Sequence, residues 1–177
     1  EIFNQLMQSR PVSAVYTNHD YEAYALQRDD SVKNLLAGQG AGFYSHKDQV
    51  IFEKDEVVKD DGKPYTVFTP YSRKWKATLK PFYLKSYPSE KYLDAMFKQA
   101  AKPMPSLASM GFEAEGLPFP ARSLNKELAR KYSEQRDFPA IPGTSKLGVH
   151  LRFGTISIRQ LASRARELNE TFLNELI

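Results

Sequence analysis

Six prolines at positions 81, 88, 103, 105, 118 and 120 interrupt the middle of this 177-residue chain and set what it can fold into. Proline has no amide donor and fixes φ, so neither a long helix nor a central strand can run through that stretch. The signals on either side differ, which divides the chain into residues 1–70, 71–120 and 121–177. Within the middle part only residues 90–101 have helical spacing, with Ser89 placed to cap them.

The first part reads as the end of an alternating α/β domain. Residues 12–16 form a short β-branched and aromatic run suited to a buried strand. Residues 21–36 carry apolar side chains at helical spacing and stop at Gly38. Residues 42–45 and 48–52 read as short extended pieces, and residues 60–64 as a turn. The chain enters through an apparent helix at residues 2–7 without an initiator methionine, and a parallel sheet cannot be assembled from this remainder alone. The expectation is therefore an internal fragment of a longer protein.

The last part reads as helical throughout. Ser123 is expected to cap a helix over 124–135, with Glu127 completing a loose capping arrangement and Leu124, Leu128 and Tyr132 forming one apolar stripe. A loop held by Pro139 and Pro142 leads to a helix over 145–153. Ser157 then caps 158–168, and a final helix starts near Thr171.

The hydrophobic content of 41% is enough for a core, and the absence of cysteine excludes disulfides and thiolate metal sites. His19, His46 and His150 have no ligand spacing, so no metal is assigned. No apolar run approaches the roughly eighteen residues of a membrane span, and a soluble, cytoplasmic protein is expected. The net charge of +4 is unevenly placed: residues 1–70 hold 7 Lys+Arg against 11 Asp+Glu, residues 71–120 hold 8 against 4, and residues 121–177 hold 10 against 6. A basic region joined to an acidic one fits a protein that meets nucleic acid on one side, and equally fits a solvated surface. The connector interleaves Trp75, Phe82, Tyr83, Tyr87 and Tyr92 with lysines. That pattern suits stacking on single-stranded nucleic acid or packing against a neighbouring domain.

Chemistry concentrates in residues 132–157. Gly143-Thr144-Ser145 before an amphipathic helix would place unpaired amides and two hydroxyls where an anion is favoured, although the tripeptide alone is also an ordinary cap. The surrounding string is more specific: Tyr132, Arg136-Asp137-Phe138-Pro139, Gly143-Thr144-Ser145-Lys146-Leu147, Leu151, Gly154 and Ile156-Ser157. It resembles the opening of the flavin-binding helical domain of the DNA photolyase and cryptochrome family. Asp20-Tyr21-Glu22 with Arg28-Asp29, and residues 67–71 with Trp75, resemble closing segments of that family's N-terminal domain. Residues 172–177 resemble the beginning of its Trp-x-Asn-Glu-Leu-x-Trp-Arg-Glu-Phe motif.

The resemblance implies the C-terminal part of a Rossmann-like parallel α/β domain, a proline-rich connector and the first helices of an all-helical FAD-binding domain. It implies a deoxyribodipyrimidine photo-lyase, a monomer that repairs cyclobutane pyrimidine dimers in DNA by electron transfer from reduced FAD. Tyr132, Thr144, Ser145, Lys146, Leu147 and Gly148 match flavin-contacting positions. Arg136 matches a DNA-contacting position, and Glu175 matches the carboxylate that hydrogen-bonds the lesion, its catalytic role. Gly148 replaces a usual Ser and Phe172 a common Trp. Tyr24-Ala25 stands where folate-using members often carry Asn-Glu, so a folate antenna held in that manner is not expected, and the identity of any second chromophore stays open. A cryptochrome-type photoreceptor shares the same cradle, and an α/β nucleotide-binding module with an unrelated helical extension is the third reading.

Overall fold

The computed structural model describes residues 2–113 and 116–177. They fall into two compact units, one ending at Leu79 and the other beginning at Lys80.

In the first unit, helix α1 (Ile2–Ser9) precedes strand β1 (Ala14–Asn18), helix α2 (Ala23–Ala37) and strand β2 (Gly42–His46). The strands pair in parallel, with Ala14 opposite Gly42 and Asn18 opposite His46. A parallel pair requires a crossover, and α2 supplies it. This is one βαβ unit, the building block of Rossmann-like domains. Tyr16 and Tyr44 stack across the pair with ring centroids 5.0 Å apart. Residues 48–52, expected to be extended, are not a strand: the chain bends there, and Ile51 and Phe52 turn into the core instead. Helix α3 (Phe68–Thr78) starts with Pro70 in its first turn, where a missing amide costs nothing. Its Trp75 is buried edge-on against Phe52 at 5.3 Å. That contact gathers residues 71–79 of the expected connector into this unit.

The second unit opens with 3₁₀ turns at Pro81–Leu84, Ser89–Ala95 and Ala108–Met110. The α-helix expected over 90–101 is thus replaced by a shorter 3₁₀ segment in which Ser89 is the first residue and not the cap. Tyr92 and Leu93 are exposed, so no buried face stabilises an α-helix there. The expected helix over 124–135 is two pieces, α4 (Lys126–Arg130) and α5 (Tyr132–Gln135), and Asn125 caps the first by accepting from the Glu127 and Leu128 amides. Ser123 does not cap because Leu124 enters the core ahead of the helix. The break falls at Lys131, whose φ of −89° and ψ of 6° lie in the bridge region.

Helix α6 (Gly148–Arg152) is short, whereas α7 (Ile158–Leu168) spans the range read from sequence, with Ser157 accepting from the Gln160 amide. Helix α8 (Glu170–Asn174) follows after a one-residue break at Asn169. Leu161, Ala162 and Ala165 of α7 form the centre of this core with Ala129, Phe172 and Leu173. Among the described residues no helix is long and apolar enough to cross a membrane.

Candidate functional site

Tyr132, Arg136 and Glu175 converge in the second unit. Tyr132 begins α5 and Arg136 caps its end, one turn later on the same side. Glu175 caps the end of α8, and its carboxylate accepts from the Arg136 guanidinium. Arg136 Nε also donates to Asp137 at 3.2 Å, and its guanidinium lies 5.6 Å from the Tyr132 ring centroid. The hydrogen bond to Asp137, and then that to Glu175, hold the guanidinium's pKa above its ordinary value. Tyr132 packs edge-on against Phe172 at 5.1 Å, and its ring is buried. Burial, and then the Glu175 carboxylate, raise the phenol's pKa. Phe172, noted in sequence only as a departure, supports both ends of this arrangement.

The Gly143–Gly148 segment is tied to the same helix. A Cβ on Gly143 would lie 2.8 to 2.9 Å from Gln135 Cβ, carbonyl C and O, so only glycine fits against the end of α5. The segment differs from the expectation in one respect: Thr144 and Ser145 precede α6 by several residues instead of forming its first turn. Lys146 adopts the left-handed conformation at φ 54°, which no α-helix accommodates. Ser145 Oγ instead accepts from the Leu147 amide at 3.4 Å, a local bond that competes with helix. Leu147 is buried and anchors the turn. An anion here would therefore be met by side chains and loop amides, without a helix N-terminus. Thr144 and Lys146 are exposed, and neither forms a hydrogen bond or ion pair among the described residues. Gly148 faces open space.

Two residues escaped the sequence reading. His150 is buried, with Nδ1 2.8 Å from Thr155 Oγ1 and Nε2 2.9 Å from the Pro120 carbonyl, so it fastens the loop after α6 to the segment before α4. Isolated histidines carry no signal for that role in sequence. Asn174 Oδ1 is buried beside Glu175 without a hydrogen-bond partner in the described structure. Among the described residues no cluster of three potential metal ligands occurs.

The first unit has its own polar cluster after β1. The Glu53 carboxylate lies 2.8 Å from His19 Nδ1 and accepts from the Tyr21 hydroxyl. Burial alone would raise the Glu53 pKa, but the hydrogen bonds from Tyr21 and His19 outweigh it and leave the value below the ordinary 4.5. Stability from this group is thus complete above pH 4.5 and lost as pH falls through the lower folded value. Glu53→Gln is expected to lower the melting temperature at neutral pH. The difference should shrink as pH drops below 4.5, read by thermal denaturation across pH. A cleft of about 220 Å³ opens beside this cluster between α2 and β2, lined by Asp20, Lys33, Phe43 and Lys54 among others. Tyr24 is exposed and does not line it.

A βαβ unit followed by a helical unit defines an α/β-plus-helical protein. The family model described as DNA photolyase matches residues 1–91, and the chain belongs to that family. The deoxyribodipyrimidine photo-lyase of Alkalihalophilus pseudofirmus is 31% identical over 98% of this chain and 40% of its own length. That of a Synechococcus species is 33% identical over 94% and 38%. A bacterial class III photolyase from Agrobacterium tumefaciens shares the fold with a TM-score of 0.67 at 20% identity, over 98% of this chain and 40% of that one. The chain thus spans about two fifths of the length of these relatives.

Proposed function

We propose that this chain belongs to a light-driven lyase that repairs cyclobutane pyrimidine dimers in DNA. In this reading residues 1–70 end a Rossmann-like domain, 71–120 connect, and 121–177 begin an FAD-binding helical domain. The observation that carries the reading is the joining of Arg136 and Glu175 beside Tyr132, on the helix end against which the Gly143 loop is packed. Membership of the family and the names of its relatives support it.

The residues present fit an anionic cofactor. Thr144 supplies a free hydroxyl, Lys146 a cation and Gly148 an open approach. Tyr132, Ser145 and Leu147 complete the proposed FAD contacts. Reduced FAD, when bound, would supply the photoexcited electron that opens the cyclobutane ring and is then returned. The protein's part is to orient and to exclude water. Arg136 neutralises a DNA phosphate, and Glu175 accepts a hydrogen bond from an extruded pyrimidine. A second chromophore, of open identity, belongs to this reading.

The intact protein, a monomer in this reading, should carry FAD and remove thymine dimers under near-ultraviolet light above a no-protein control. Thr144→Val should weaken FAD retention by roughly 1.5 to 3 kcal/mol, the cost of a lost hydrogen bond to a charged group, measured by flavin fluorescence on dilution. Unchanged retention would remove Thr144 from the site. Flavin binding without dimer loss would favour a photoreceptor.

A further inference from the structure

We infer that Asn169 is the positioning residue that sets Glu175 against Arg136; its role in lesion recognition rests on the function proposed above. Helix α5 has four residues and α8 five, too short to hold their own geometry in water. They lie side by side and run in the same direction: Asn169, the N-cap of α8, reaches Ser133 in the first turn of α5, and their C-cap residues, Arg136 and Glu175, meet at the far end. An exposed ion pair fixes little by itself. The separation of the two functional groups is therefore set by the Tyr132–Phe172 packing between the helices and by the hydrogen bonds at their other end.

Both ends of the Asn169 carboxamide are used there. Oδ1 accepts from the Phe172 amide at 3.1 Å and caps α8. Nδ2 donates to the Arg130 carbonyl, in the last turn of α4, at 2.9 Å, and to Ser133 Oγ in α5 at 3.3 Å. The Asn169 backbone is extended at φ −164° and ψ 123°, and its amide donates to the Ala165 carbonyl, closing α7. The side chain thus joins the end of α4 to the beginnings of α5 and α8, and the backbone amide of the same residue closes α7. Aspartate could cap α8 but has no donor for the Arg130 carbonyl, and serine could cap but could not span to it.

The test uses the intact protein with Asn169→Asp, which keeps the cap and removes the donor, and with Asn169→Ser as a second variant. Nitroxide labels on Arg136→Cys and Glu175→Cys, in a protein whose other cysteines if any are removed, report the separation through dipolar broadening. Strong broadening is expected with Asn169 and its loss in both variants; broadening kept in both overturns the inference. In unlabelled Asn169→Ser, which adds no charge, the ratio of affinities for dimer-containing and undamaged duplex should fall about tenfold, the weight of one hydrogen bond, with affinity for undamaged duplex not reduced. A merely destabilised fold would weaken both together. A ratio kept while broadening is lost overturns the role in recognition. Should the protein with Asn169 show no preference for dimers, the proposed function fails, and the broadening still decides whether Asn169 sets the separation.

Discussion

Phe172→Ala is expected to destabilise the helical unit by roughly 3 to 5 kcal/mol, the usual cost of emptying an aromatic site in a core. Phe172 is 2% exposed and packs edge-on against Tyr132, so the variant loses buried area and a ring contact together. The consequence reaches the site from both sides, because Tyr132 begins the helix that ends at Arg136, and Phe172 lies on the helix that ends at Glu175. Phe172→Leu separates the contributions: it keeps most of the volume and should lose about 1 kcal/mol with the ring pair. Urea denaturation of the three proteins measures this. A cost under about 1 kcal/mol for the alanine variant would mean that Phe172 does not support the site.

Arg136→Ala should weaken binding to damaged and undamaged duplex alike and reduce the salt dependence of log K by about one unit of slope. The structure enlarges the expected effect. Removing the guanidinium leaves Asp137 and Glu175 without their shared cation, so two carboxylates would face the phosphate backbone where one net negative charge stood. The companion variant Glu175→Gln frees Arg136 and should strengthen binding to undamaged duplex while lowering the preference for dimers. Affinities measured at several salt concentrations decide the matter. An unchanged salt slope in Arg136→Ala would take this residue out of phosphate contact.

The sequence carried far in elements whose cause is local. Ser157 caps α7 as its hydroxyl spacing demanded, and the glycine after α2 stops that helix within a residue of the expected place. The stripe of Leu124, Leu128 and Tyr132 also faces inward, with Leu124 and Tyr132 buried. Ser123 was the expected cap, but Asn125 is as good a capping residue, and burial of Leu124 decided for Asn125. The start of α6 was misplaced for a similar reason, since Gly143 suggests a helix entry but is required instead by contact with Gln135.

Local chemistry and motif spacing marked the strand at 12–16, the helix that follows it and the helical third part, and put forward Tyr132, Arg136, Glu175 and residues 144–148 as site residues; that β1 and β2 pair in parallel was not legible there. Only tertiary structure decided that Arg136 and Glu175, 39 positions apart, are partners, and that His150 and Asn169 hold the segments around them. Hydrogen-bond spacing within a turn is written in neighbouring residues. A bond between residues far apart depends on how helices pack, and packing follows from the shape of the whole buried surface, with no signature at either residue.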